Sequence, residues 1–393
     1  MESKRLARAA AAMVVILLGL LTLNDVADGT SDVCKTVQSY GYQCSDNEVT
    51  TQDGYVLGLQ RIASNTTSEK KQPPVLLQHG LLVDGMIWVL SKQGLALALS
   101  DAGFEAWIVH SRGTKSSRRH TSLNADTNQS YWAWTWVEFA EFDIPATVDF
   151  IYNTTGQRVH LVGHSLGALT ILASLSQGKL VDKTGAVGLL APVAYMRHVT
   201  SPLLLYGANF YADKLLVSLG GAELLPHSGA VDFVLKTVCS FGLNCSDLMS
   251  ILTGNNCCLD SAEMKNFLTY EPQSTSKRAV MHVAQMVRSG TIAKHDYGSA
   301  STNNQMYGQS TPPVYDLSSV PVDVPLFISR GEADSLTDVQ DFNSLVSSLG
   351  NHQQSKLTVH SIPEYAHADF VMGSNAGQLL HPPLIAFLSN STN

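Results

Sequence analysis

The sequence predicts an α/β fold, with a doubly wound, mostly parallel central sheet and helices on both faces. Apolar runs of strand length alternate with helix-like segments through residues 74–192, the pattern of parallel βαβ units. One apolar run leads straight into a Gly-His-Ser-Leu-Gly turn at 163–167 and then a helix. Two further apolar strands, at 324–330 and 356–362, extend the pattern toward the end of the chain.

The first 29 residues have the character of a signal peptide. Lys4, Arg5 and Arg8 precede an apolar run at 9–23, which is short for a membrane-spanning helix. We therefore predict entry into the secretory pathway and secretion, with a vacuole or lysosome as the alternative destination. A retained membrane anchor is the competing interpretation. Five sequons are candidate glycosylation sites: Asn65, Asn128, Asn153, Asn244 and Asn390.

The cysteine content also suits an oxidising compartment, because six cysteines form an even set. Cys34 and Cys44 lie ten residues apart in a turn-rich region and are expected to pair. Pairing stays open among Cys239, Cys245, Cys257 and Cys258. The adjacent pair is not expected to bond to itself, because the ring would be badly strained. The histidine and cysteine spacings match no usual zinc pattern, so no metal site is predicted.

Charge argues against one class of partner. The 393-residue chain has a net charge of −8, a pI near 5.9 and no basic stripe, which disfavours nucleic acid binding. With 45% hydrophobic residues, the chain is long enough for one large domain that carries an insertion. Oligomeric state is not predicted.

The elements before the serine turn follow in order. Residues 48–61 predict two short strands around an Asp-Gly turn, and residues 74–79 predict a strand buried on both faces. That strand ends in His79-Gly80, where a glycine lets backbone N–H groups face a site. A helix-like stretch at 88–100 and a strand at 104–110 come next. A simple turn with a satisfied histidine is the alternative to an oxyanion loop.

Ser165 is the predicted nucleophile. A strand that reverses into a helix within one residue crowds its backbone, and side chains at Gly163 and Gly167 would clash. The five-residue motif is weak evidence alone, and its strand–turn–helix setting strengthens it. The backbone N–H groups of Leu81 and Leu166 are the predicted oxyanion donors.

The strand pattern breaks after the next core strand, at 186–192. Residues 193–313 are read as a helical cap or lid inserted between core segments 30–192 and 314–393. Its leucine, phenylalanine, tyrosine and methionine content suits a lipid-facing lid. A plain helical subdomain with a buried apolar face fits the composition equally well.

The predicted acid and base follow the last two strands. Asp334 and Asp338 compete for the acid, but Asp338 sits at a helix start where a carboxylate has a structural role. We therefore assign Asp334. His367 follows the last strand by a short loop, and the order Ser165, Asp334, His367 is the order that a hydrolase built on such a sheet uses.

Taken together, the motifs resemble those of the acid lipases, the group that includes gastric and lysosomal acid lipase, and most closely the plant triacylglycerol lipase type. The resemblance covers nearly the whole chain after residue 29. It lies at 51–57, 77–82, 111–113, 142–146, 163–167, 255–259, 271–276 and 367–370. It implies an α/β-hydrolase core with an interrupting cap, and it places the triad on Ser165, Asp334 and His367.

Two positions depart from the family pattern. The residue after the nucleophile is usually glutamine and here is Leu166, which leaves a backbone donor intact. The family's Gly-Asn-x-Arg-Gly is Val-His-Ser-Arg-Gly at 109–113, so a supporting position differs.

These features predict a serine lipase that hydrolyses lipid esters such as triacylglycerols through an acyl-enzyme, without metal or cofactor, in contact with a lipid surface. An esterase for sterol or short-chain esters and a non-catalytic lipid-binding homologue are the alternatives.

Overall fold

A computed structural model describes residues 31–64, 72–209, 221–226, 245–350 and 352–391. The predicted signal peptide, the sequons at Asn65 and Asn244, Cys239 and most of the apolar segment 214–221 lie outside these ranges, as does the side chain of Cys245.

The described residues build a nine-stranded, mostly parallel sheet and a separate two-stranded ribbon. The strands are β1 (Cys44–Thr50), β2 (Tyr55–Ile62), β3 (Val75–Gln78), β4 (Ala106–Val109), β5 (Arg119–His120), β6 (Val159–His164), β7 (Thr184–Leu190), β8 (Glu223–Leu224), β9 (Thr275–Ser276), β10 (Leu326–Gly331) and β11 (Leu357–Ile362). The main sheet has the order β1-β2-β4-β3-β6-β7-β10-β11, with β5 paired to β2. All neighbours from β4 to β11 are parallel, so β3, β6, β10 and β11 end at the same edge.

Helices follow the strands as the pattern predicts. The α-helices of four residues or more in the described ranges are α1 (Asp32–Ser39), α2 (Leu95–Asp101), α3 (Ile144–Thr155), α4 (Leu166–Ser176), α5 (Pro202–Asn209), α6 (Cys245–Thr253), α7 (Ser261–Tyr270), α8 (Lys277–Ser289), α9 (Ala300–Tyr307), α10 (Val339–Ser348), α11 (Asp369–Met372), α12 (Ala376–Leu379) and α13 (His381–Asn390). Pro145 lies in the first turn of α3, where its missing N–H costs nothing.

Hydrophobic packing covers both faces of the sheet. Neighbouring residues on β6 point to opposite faces, so Leu161 joins one core cluster and Val162 the other. Helix α4 is buried along nearly its whole length, from Leu166 to Leu175. The serine turn is therefore held between a central strand and an enclosed helix.

The prediction of one helix at 88–100 is wrong for the first half of that range. A 3₁₀ turn at Gly85–Trp88 precedes a separate helix, α2, which begins only at Leu95. Gly94 turns the chain back against Trp88, and a Cβ at Gly94 would lie 2.4 Å from the Trp88 carbonyl oxygen. Residues six positions apart in a continuous α-helix are separated by about 9 Å along its axis, so this contact between Gly94 and the Trp88 backbone excludes a helix through both.

Residues 193–313 contain α5 to α9 and the ribbon of β8 and β9, and none of their described strands joins the main sheet. The assignment of this segment as an inserted cap or lid stays a prediction. No helix in the described part of the chain is long and apolar enough to cross a bilayer.

Candidate active site

Ser165 occupies a strained turn between β6 and α4. Its backbone has φ 59° and ψ −124°, a conformation that residues with a side chain rarely adopt. A Cβ at Gly163 would lie 2.7 Å from the Ala168 nitrogen. A Cβ at Gly167 would lie 2.5 Å from the Gln78 carbonyl oxygen. The prediction that both glycines are sterically required is confirmed.

The loop after β3 lies against the serine. Strand β3 pairs with β6, and Gly80 is so close that an added Cβ would be 3.0 Å from Ser165 Cβ and 3.3 Å from its Oγ. Leu81 follows directly. Leu166 is the first residue of α4, so its N–H has no acceptor within the helix. Both predicted oxyanion donors thus belong to backbone segments that adjoin Ser165.

We expect Gly80→Ala to lower kcat about tenfold, because the new methyl group displaces Ser165 or the loop after β3 by a few tenths of an ångström. Kinetics on a soluble ester and thermal unfolding would be measured together. Gly377→Ala, where an added Cβ meets nothing within 4 Å, is the matched control. Unchanged kcat in Gly80→Ala would contradict a requirement for close packing of this loop on Ser165.

Asp334 and His367 meet across the loops after β10 and β11. Asp334 Oδ2 lies 2.8 Å from His367 Nδ1, and the Asp334 side chain is fully buried. Its other oxygen accepts hydrogen bonds from the N–H groups of Leu336 (2.7 Å) and Thr337 (3.0 Å). With three partners, this carboxylate has one defined orientation. His367 Nε2 is buried and has no hydrogen-bond partner among the described residues, which leaves it available for a reacting group.

Asp338, the competing acid, has the structural role predicted for it. It is the N-cap residue of α10, and its carboxylate accepts the N–H of Gln340 at 2.7 Å. The His367 ring nitrogen is bound by Asp334 instead.

His164 has a larger part in the site than its sequence position indicated. Its Nε2 donates to the carbonyl oxygen of His367 at 3.1 Å, and the two rings lie 4.7 Å apart. Burial, then the neighbouring His367, holds the pKa of His164 well below its ordinary value, so this ring stays neutral. A neutral ring carries one proton, and a carbonyl can only accept, so that proton lies on Nε2. His164 therefore links the turn at Ser165 to the loop of His367.

Several buried polar residues hold the loop after β3 in place. Asp84 Oδ2 lies 3.1 Å from His110 Nδ1, and the Glu271 side chain accepts the Asp84 N–H at 3.0 Å. The backbone N–H of Gln273 donates to the Leu82 carbonyl oxygen at 2.8 Å. His110 is the position where the family motif has asparagine, so the departure places an imidazole beside Asp84.

Burial, then the adjacent Asp84 carboxylate, raises the pKa of Glu271 well above its ordinary value. The unfolded chain ionises this carboxyl near pH 4.5, whereas the folded chain keeps its proton, so its contribution to stability is lost as pH rises through the folded pKa. Glutamine supplies the same acceptor without ionising.

Glu271→Gln should therefore raise the free energy of unfolding by about 1–2 kcal/mol at pH 7.5 and leave it unchanged near pH 4. Urea unfolding at both pH values would measure this. Glu332→Gln, at an exposed carboxylate, should show no such pH-dependent difference. An equal effect of Glu271→Gln at both pH values would exclude the protonated state of this group.

Arg112 of the Ser-Arg-Gly motif is structural. Its buried guanidinium binds Asp143 at 2.5 Å and Asp53 at 2.5 Å, and lies 3.9 Å over the Tyr55 ring. It joins the β1–β2 turn to the start of α3. The adjacent Ser111 N–H donates to His79 Nε2 at 2.9 Å, so the motif also holds the loop after β3.

The disulfides agree with one expectation and overturn another. Cys34 pairs with Cys44 as predicted. Cys257 bonds to Cys258, so the expectation that adjacent cysteines stay apart is wrong. That expectation considered the ring alone. In the fold, Asp369 binds the N–H groups of both cysteines and stabilises this turn.

Within the described residues, one group of side chains has possible metal-ligand atoms that all lie within 4.8 Å of one another. The group is Cys257, Cys258 and Asp369. Its two sulfur atoms are bonded to each other and are not thiolates, the form that binds metals.

Comparisons with known proteins point in one direction. A family model described as a partial alpha/beta-hydrolase lipase region matches residues 33–92, and one for the alpha/beta hydrolase fold matches 73–210. The chain is 42% identical over 360 residues to triacylglycerol lipase 2 of Arabidopsis thaliana, spanning 90% of this chain and 86% of that protein. It is 33% identical over 395 residues to human (Homo sapiens) lysosomal acid lipase/cholesteryl ester hydrolase, spanning 95% and 96%.

Among solved structures, a soluble variant of monoglyceride lipase from Saccharomyces cerevisiae has a TM-score of 0.56 and covers 89% of this chain and 97% of its own. The sequence identity is 14%, so this likeness concerns the fold alone.

Proposed function

The chain belongs to the acid lipase family of α/β-hydrolases, and from that premise we propose that Ser165, His367 and Asp334 hydrolyse triacylglycerols through a serine-linked acyl intermediate. The chain is a carboxylic ester hydrolase acting on lipid esters, in keeping with its relatives. The observation that carries the residue assignment is the 2.8 Å contact between Asp334 Oδ2 and His367 Nδ1. It joins the loops that follow β10 and β11, at the edge of the sheet where Ser165 follows β6.

In the first half-reaction, the hydrogen bond to Asp334 keeps the proton of neutral His367 on Nδ1, so Nε2 can accept the Ser165 proton. The Ser165 oxygen attacks the ester carbonyl carbon. The N–H groups of Leu81 and Leu166 stabilise the resulting oxyanion, at about 3–4 kcal/mol for each donor. His367 then returns the proton to the leaving alcohol, and the acyl group stays on Ser165.

In the second half-reaction, His367 takes a proton from water, and the hydroxide attacks the acyl carbon. The tetrahedral intermediate collapses, the proton returns to the Ser165 oxygen, and the fatty acid leaves. Net, one water molecule is consumed for each ester bond broken. These two half-reactions require no metal and no diffusible cofactor.

Sterol esters are the second candidate substrate, because relatives of this chain include proteins named lysosomal acid lipase/cholesteryl ester hydrolase. We also propose that the enzyme works at a lipid–water interface. Entry into the secretory pathway, with secretion or a vacuole or lysosome as destination, accords with the basic and apolar residues before position 30 and with the Cys34–Cys44 disulfide.

The test uses the purified protein with three substrates: emulsified long-chain triacylglycerol, emulsified sterol ester and a soluble short-chain ester. A fluorophosphonate probe, which modifies activated serines, is applied in parallel, and the labelled peptide is mapped. We expect one label per chain on Ser165 and the highest rate on triacylglycerol. Labelling of Ser165 with a faster sterol ester reaction would favour the second candidate. Absence of labelling and of hydrolysis would favour a lipid-binding role.

A further inference from the structure

Asp369 lies two residues after His367 and is fully buried. Within the described residues, every hydrogen bond to its carboxylate comes from a backbone N–H group. Its Oδ2 accepts the Ala366 N–H at 2.8 Å and the Cys257 N–H at 3.2 Å. Its Oδ1 accepts the Cys258 N–H at 3.1 Å. One carboxylate therefore ties the histidine loop to a segment more than a hundred residues earlier in the chain.

We name this segment, residues 253–258, the cap brace. It also contacts the loops of both His367 and Asp334. The Thr253 carbonyl oxygen accepts the N–H of His367 at 3.1 Å and that of Ser335 at 3.3 Å. Gly254 forms an antiparallel bridge with Asp334. The acid and the histidine are thus held against each other by a piece of the cap as well as by their own hydrogen bond.

The contact between Gly254 and the acid loop leaves no spare space. Gly254 has φ +102°, and an added Cβ would lie 2.1 Å from the Ala333 carbonyl oxygen. A small shift of the cap brace would therefore move the Asp334 loop. The cap brace needs an anchor, and Asp369 supplies one at its far end.

The disulfide gives this anchor its form. Successive N–H groups of an extended chain point to opposite sides, but those of Cys257 and Cys258 both point to one carboxylate. The bond between the two sulfur atoms closes a ring around the intervening peptide, which restrains the two N–H groups in this arrangement.

We propose that Asp369 is a positioning residue for ester hydrolysis: by binding the cap brace through Cys257 and Cys258, it holds His367 in register with Asp334. The proposal rests on the proposed triad. Catalytic groups have to be placed within a fraction of an ångström, and His367 sits on a loop between β11 and α11, where such precision requires outside support.

The first test is Asp369→Asn, compared with wild type on a soluble ester. Every group that faces the carboxylate is a donor, so an amide necessarily turns its own N–H₂ against at least one of them. We expect kcat per active site to fall about 10- to 100-fold with KM within about twofold. Active sites are counted by labelling with a fluorophosphonate to completion, so unfolded chains do not enter kcat.

Asp341→Asn is the matched control, since Asp341 is also buried and accepts the His198 N–H at 2.8 Å, away from the histidine loop. It should lower the melting temperature but keep wild-type kcat per active site. If Asp369→Asn behaves in the same way, its role is only structural and the proposal is overturned.

The second test replaces Cys257 and Cys258 together by serine, which keeps Asp369 and both N–H donors but opens the ring. We expect a smaller loss of kcat per active site, about 3- to 10-fold, with KM unchanged. This variant decides the matter if Asp369→Asn does not fold, because unchanged kcat here would overturn the anchoring role. Failure of the wild type to label at Ser165 would instead reject the proposed triad, so the two failures are distinguishable.

Discussion

Ser165→Ala is expected to lower kcat on a soluble ester by about 10⁶-fold, the largest effect of any single substitution in this chain. Alanine removes the only oxygen that can form the acyl-enzyme at this turn, whereas the backbone donors at Leu81 and Leu166 remain. A residual acceleration of about 10³–10⁴ over water should therefore survive. Stopped or long-incubation assays with inhibitor-treated enzyme as background would measure it.

Ser174→Ala is the control for Ser165→Ala. Ser174 lies on α4, the helix that follows Ser165, is fully buried, and its hydroxyl has no hydrogen-bond partner within the described residues. Removing this hydroxyl should leave kcat and labelling unchanged. Wild-type hydrolysis by Ser165→Ala would rule out the serine mechanism proposed above.

Asp334→Asn is expected to lower kcat by about 10⁴-fold with little change in fold. The amide oxygen can keep the N–H groups of Leu336 and Thr337, but the amide N–H₂ then faces His367 Nδ1. His367 would accept at Nδ1 and carry its proton on Nε2, so it could no longer take the proton of Ser165. The loss should appear equally in kcat and in the rate of fluorophosphonate labelling.

Asp338→Ala separates the two candidate acids. This substitution removes the N-cap of α10 and should cost about 1 kcal/mol of stability, with kcat unchanged. A large loss of kcat in Asp338→Ala combined with near-normal activity in Asp334→Asn would reverse the assignment.

Much of the core fold could be predicted from local patterns. Apolar runs of strand length predicted β3, β6 and β10, because a strand buried on both faces needs apolar residues throughout. Glycines around Ser165 predicted the tight turn, since only their lack of a side chain permits it. Asp338 was recognised as a helix cap because capping depends on residues a few positions apart.

Other features could not be read locally. The bonded pair Cys257–Cys258 lies in a turn whose N–H groups are bound by Asp369, over a hundred positions away. The link from His164 to the His367 carbonyl depends on the alignment of two separate loops. At the break in the predicted helix, Gly94 lies against the Trp88 backbone, a contact that local helix propensity does not reveal.

The sequence alone determined the order of the chemical groups: a serine turn after a central strand, then an acid, then a histidine, each following a strand of one parallel sheet. Parallel strands end at one edge, so this order suffices to predict that the three residues lie near one another. Only the tertiary structure decided which atoms meet and what holds them. Residues 253–258 and Asp369 support His367 and Asp334 through backbone N–H and carbonyl groups. Every residue carries such groups, so no pattern of side chains in the sequence marks them.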